Sequence, residues 1–110
     1  MGRESVGEFE HLILLAILRL KDEAYGGSIL LELSEHTDRT VLRPAVYNAL
    51  RRLEAKGLIS SRLGEPTPER GGRAKRFLSL EPAGLAALRD SRQTLLSMWD
   101  GVDDVLDGAV

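Results

Sequence analysis

The stretch from Phe9 to Leu20 is apolar nearly all the way round a helix, and in a chain of 110 residues no other feature constrains the fold as strongly. Phe9, Leu12, Ile13, Ala16, Ile17 and Leu20 recur at the offsets of one helical face, which predicts a first helix over about residues 8 to 20. Leu14, Leu15 and Leu18 fall on its opposite side. A helix with two apolar sides must be covered on both, and a domain of this size can hardly supply both covers. The pattern calls for a core and a second copy of the chain. The longest apolar run, Leu12 to Leu18, is seven residues, far short of the roughly 18 to 20 that cross a bilayer. The start Gly2-Arg3-Glu4 lacks a signal peptide's charge layout, so a cytoplasmic protein with no membrane partner is expected. The absence of cysteine suits a reducing compartment and removes disulfides and thiolate metal sites.

After a loop at Lys21-Asp22-Glu23, a second helix is predicted from Gly26 or Gly27 to about Thr37, burying Ile29, Leu30 and Leu33. Thr37-Asp38-Arg39-Thr40 forms a turn. Pro44 suits the first position of a third helix running to Lys56, because its missing N–H would be unpaired there, and Gly57 supplies a left-handed cap. Leu58 to Leu63 and Lys75 to Leu80 are strand candidates joined by a Gly- and Pro-rich hairpin tip. Phe77 and Leu78 point oppositely, so the buried face of the second strand stays open. Pro82 opens a last helix. Three helices, a strand, a wing, a strand and a helix make a mainly α chain with a small β-hairpin. This is a winged helix-turn-helix domain over residues 1–81 followed by a C-terminal dimerisation helix over 82–110.

Net charge is −2, but it is sharply segregated. Between Arg39 and Arg76 there are ten basic residues against three acidic ones, and the remainder of the chain is strongly acidic. A basic block on an acidic body is the footprint of a phosphate-binding surface, although a merely solvated charged face has the same composition. On a wheel of the third helix, Val46, Ala49, Leu50 and Leu53 face the core, while Pro44, Tyr47, Asn48 and Arg51 point outward with Arg52 at the flank. Asn can bond adenine and Arg guanine in the major groove. The DNA-contacting set is therefore Arg43, Pro44, Tyr47, Asn48, Arg51 and Arg52. The plain alternative has Arg51 and Arg52 pairing with Glu54 or Glu32. Arg70, Arg73, Lys75 and Arg76 cluster at the hairpin beside Gly71 and Gly72, where they can lie along phosphates or in a narrow minor groove.

These segments together resemble the PadR family of bacterial transcriptional regulators, in its short form with a single C-terminal helix. The resemblance spans about residues 7 to 99. It is carried by Gly7-Glu8-Phe9-Glu10 with the apolar run after it, Ala24-Tyr25-Gly26, the segment Val46 to Ile59, Gly71 to Phe77, and Leu80-Glu81-Pro82-Ala83-Gly84. It implies a homodimeric winged-helix repressor acting on operators near its own and neighbouring genes. It places the recognition tyrosine at Tyr47 and basic wing residues at Arg73, Lys75 and Arg76. Leu42-Arg43-Pro44 and Glu81 depart from the family pattern of small residues before the tyrosine and a threonine cap.

In the last helix Leu85, Leu88, Arg92, Leu95, Trp99, Val102 and Leu106 alternate spacings of three and four. This seam pairs with a second copy or packs on its own domain, and Gly101 weakens the helix near its end. The dimer interface is accordingly assigned to Leu14, Leu15, Leu18, Leu85, Leu88, Leu95, Trp99 and Val102. Trp99 either packs there or, as the resemblance implies, lines a site for a small planar hydrophobic effector. No catalytic or metal constellation stands out: His11 and His36 belong to no metal-ligand spacing, Ser28 and Ser34 to no nucleophile elbow, and no cofactor is expected. The rival to DNA binding is a winged helix used only for protein contacts, its basic face meeting an acidic partner.

Overall fold

The computed structural model describes residues 5–65, 74–106 and 108. Its elements are α1 (Glu8–Leu20), a single 3-10 turn at Lys21–Glu23, α2 (Gly26–His36), α3 (Arg43–Ala55), β1 (Ile59–Leu63), β2 (Arg76–Leu80), α4 (Pro82–Trp99) and a one-turn α5 (Asp103–Leu106). The apolar circumference of α1 makes it the central element, packed on by α2, α3, α4 and β2. Ile13, Leu14, Ala16 and Ile17 are buried there with Ile29 and Leu33 of α2, and with Val46, Ala49, Leu50 and Leu53 of α3. Ile59, Leu78, Ala87 and Leu88 close the same core.

Local chemistry explains most of the boundaries. The Gly7 N–H at the start of α1 donates to the Glu10 carboxylate at 3.2 Å, and the Tyr25 N–H before α2 donates to Ser28 Oγ at 2.9 Å. Each satisfies a donor that the first helical turn leaves unpaired. Pro44 and Pro82 sit in the first turns of α3 and α4, and α3 is followed by Gly57 at φ 76°, a conformation favourable only to glycine. The strands pair antiparallel with Ser61 opposite Leu78 and Arg62 opposite Phe77. Leu78 takes the core face, and Phe77 the outer one, where its ring meets Tyr25 edge-on at 5.7 Å.

Three residues assigned to the dimer seam stand apart from the others. Leu14 is fully buried and Leu88 is 6% exposed within the single chain, so neither is free to face a second copy. Four elements surround α1, and they close over more of its circumference than a two-sided wheel allows. The seam also does not run on to Leu106 in one helix. α4 ends at Trp99, and Gly101 at φ 86° turns the chain, so Val102 lies beyond the helix that carries Leu85 and Leu95. No helix among the described residues is long and apolar enough to cross a membrane.

Candidate nucleic-acid interface

The outer face of α3 is free of the core for the reason its wheel suggests: Val46, Ala49, Leu50 and Leu53 take the buried side, and the remaining positions are left outside. Arg43, Pro44, Tyr47, Asn48 and Arg51 are all exposed. Arg51 approaches Asn48 Oδ1 at only 3.5 Å, the weak limit of a hydrogen bond, so both remain available to base edges. Tyr47 is seated rather than merely exposed. A Cβ at Gly26 would collide with its hydroxyl and lie 2.5 Å from Cζ, so the glycine at the start of α2 makes the room in which the ring lies.

Lys75 and Arg76 are exposed at the base of the wing and are tied to the same surface through two chains of contacts. The Lys75 ammonium lies 4.3 Å from the centroid of the Tyr25 ring, one residue before Gly26 and its Tyr47 contact. Arg76 donates to Ser61 Oγ at 3.1 Å, and Ser61 in turn donates to Glu54 of α3 at 3.0 Å. The wing base and the outer face of α3 are thus one connected surface. Arg70 and Arg73, also assigned to the wing, lie outside the described residues.

Arg52 is held differently from the other assigned residues. Its Nε donates to Glu10 of α1 at 3.2 Å, and Lys56 donates to both oxygens of the same carboxylate at 3.1 and 3.2 Å. The partners expected from sequence, Glu54 and Glu32, are engaged with Ser61 and with Arg19. Burial pushes the Glu10 carboxyl up, but hydrogen bonds from Lys56, the Gly7 N–H and Arg52 outweigh it and hold the group below the ordinary carboxylate range. Neither helix alone hints at this cluster, because Glu10 lies more than forty residues from both Arg52 and Lys56. The one local signal is a glutamate three residues after Gly7, the spacing of a capping carboxylate.

On the far side of α1 a cleft of about 720 Å³ lies against α4, lined by Leu12, Leu15, Ala87, Thr94 and Leu95 together with His11. The His11 Nδ1 and Ser91 Oγ share a hydrogen bond at 2.7 Å. Burial pushes the imidazole below its usual 6.5. The neutral ring is therefore favoured by folding. The stability it contributes is complete above about pH 6.5 and declines as pH falls below that value, whereas the contribution of Glu10 survives until below 4.5. We expect the Tm of the wild type to fall between pH 7 and 5 more than that of His11→Gln; parallel thermal melts would refute this. Leu15, Leu18, Leu85, Leu95 and Trp99 remain exposed in the single chain, the last by 40%.

Among the described residues, Glu32, Glu35 and His36 bring three potential metal ligands within 4.8 Å of one another. The Arg19 guanidinium already pairs with two of the three, 2.6 Å from Glu32 and 2.9 Å from His36 Nε2.

Comparison with known proteins places this arrangement. Residues 14–90 match the family model of the PadR-like transcriptional regulators, which is more than half of the chain. No protein with a curated description matches by sequence. Among solved structures, a PadR family transcription regulator from Clostridium difficile R20291 is similar at 24% identity and TM-score 0.70, over 93% of this chain and 97% of that one. A PadR-like transcriptional regulator from Bacillus cereus superposes with TM-score 0.72 at 22% identity, over 89% of this chain and 90% of that one. One from Eggerthella lenta is 26% identical with TM-score 0.68, over 90% and 86% of the two chains. These likenesses carry the winged-helix fold, and the family match carries the kinship. The chain belongs to the PadR-like family of transcriptional regulators.

Proposed function

We propose that the protein is a repressor that binds an inverted-repeat operator as a homodimer. The reading rests above all on one observation: the outer face of α3 and the cations at the wing base form a single connected surface. Arg43, Tyr47, Asn48 and Arg51 enter the major groove, and Lys75 and Arg76, with Arg70 and Arg73 beyond the described residues, lie along phosphates. The exposed apolar residues Leu15, Leu18, Leu85, Leu95 and Trp99 support pairing of two copies through α1 and α4, with α4 as the dimerisation helix. A twofold dimer sets its recognition helices in successive grooves about 34 Å apart. A small planar hydrophobic effector stacking on Trp99 would release the operator only by binding the DNA-free geometry more tightly.

Arg51→Ala tests the assignment of the face. It is expected to cost about 1 to 3 kcal/mol on the operator and to relax preference at one base position, as the loss of a bidentate base contact does. The check is a competition titration against operators substituted at each position. An Arg51→Ala protein with wild-type affinity and wild-type preference at every position would refute the orientation of α3.

A further inference from the structure

We propose that Glu10 sets how many cations the recognition helix offers to the phosphate backbone, by withholding Lys56 and fixing Arg52 against α1. This rests on the reading of α3 as the DNA-facing helix. The Glu10 side chain is only 8% exposed, and a carboxylate so buried is tolerable only if its oxygens are satisfied. They are: Oε1 accepts from the Gly7 N–H and from Lys56, and Oε2 accepts from Lys56 and from Arg52. The Lys56 ammonium bridges both oxygens, and its side chain is 28% exposed, whereas Arg52 commits only its Nε edge and stays 53% exposed.

Asn48, Arg52 and Lys56 follow one another at four-residue spacing and so form one stripe on α3. The stripe leads from the exposed face, where Asn48 is free to meet a base, to the buried carboxylate. An ammonium held by two oxygens beside a core does not leave them for a solvated phosphate. Glu10 thereby removes one cation from the phosphate-binding count without touching Asn48 or Arg51. Binding to DNA of any sequence depends on that count, and specificity is the ratio of operator binding to this background. The carboxylate lowers the background and leaves base readout in place. Glu10 is a positioning residue: it acts through the two cations and never meets DNA itself.

The test is fluorescence anisotropy on a duplex of unrelated sequence across a range of KCl concentrations. Glu10→Gln keeps the size of the side chain and an oxygen for the Gly7 N–H but releases the cations. It is expected to bind about five- to tenfold tighter per protomer at 0.1 M salt, with a salt slope steeper by about one unit per protomer. Lys56→Met in the wild-type background is expected to leave the slope unchanged, and in the Glu10→Gln background to restore the wild-type slope. An unchanged or shallower slope for Glu10→Gln, with wild-type protein binding normally, would overturn the proposal. So would a Lys56→Met slope shallower by one unit, and this second variant decides the matter even where Glu10→Gln fails to fold. Wild-type protein that ignores duplex altogether would instead overturn the DNA-binding reading and this inference with it, a pattern distinct from the other two.

Discussion

Raising the salt concentration from 50 to 200 mM is expected to weaken binding to duplex DNA about a thousandfold, the loss that follows when roughly six phosphates are neutralised. Lys75 and Arg76, assigned to phosphates together with Arg70 and Arg73, make four such cations in each protomer, while Arg43 and Arg51 are assigned to the groove, so a dimer brings at least this number of phosphate contacts. The remainder of the chain carries a net negative charge, so the slope is assigned to the basic block. Lys75→Ala removes one contact per protomer and is expected to make the slope shallower by about one unit for each. Its affinity falls on operator and unrelated sequence alike, in contrast to Arg51→Ala. A duplex that fails to bind at any salt concentration would leave the basic face to an acidic protein partner.

Gly84→Ala is expected to destabilise the fold by about 3 kcal/mol, the upper end of what overpacking a closed core costs. Gly84 lies in the first turn of α4, and a Cβ there would collide with the carbonyl oxygen of Leu58 and lie 3.0 Å from its carbonyl carbon. Neither atom can yield. Leu58 is 2% exposed, its N–H donates to the Leu53 carbonyl, and its own carbonyl accepts from the Glu81 N–H at 2.9 Å. Relief requires α4 to lift away, which withdraws Ala87 and Leu88 from the core. Gly26→Ala makes a useful contrast, because the obstacle there is the ring of Tyr47, a half-exposed side chain that can turn aside. We expect chemical denaturation to show a large loss for Gly84→Ala and a small one for Gly26→Ala, with the latter losing operator affinity as Tyr47 is displaced. Equal stability of Gly84→Ala and wild type would show that α4 is not seated on Leu58.

The elements of the fold were legible because their signals are local. The periodicity of α1, the prolines that open α3 and α4, and Gly57 after α3 act within a few residues, and observed boundaries fall within a residue or so of those expected except at the end of the last helix, which stops at Trp99. The outward placement of Pro44, Tyr47, Asn48 and Arg51 was legible for the same reason, since four apolar residues on one side of a helix leave the others outside. The seating of Tyr47 on Gly26 was not, since it joins the starts of two helices that sequence does not align.

What the sequence by itself determined is the order of helices and strands, the polar face of α3 and the concentration of basic charge around it. Only the tertiary structure decided that Leu14 is core while Leu15 stays exposed, since both are leucines on one side of a wheel and the difference lies in where α2, α3, α4 and β2 close. It also decided that Leu78 rather than Phe77 faces inward, because strand alternation allows either and pairing with β1 selects one. Glu10 shows the division most clearly. A glutamate at the start of a helix reads as a cap, and it is one; that it also binds Arg52 and Lys56 follows from packing α1 against α3, which no pattern within either helix encodes.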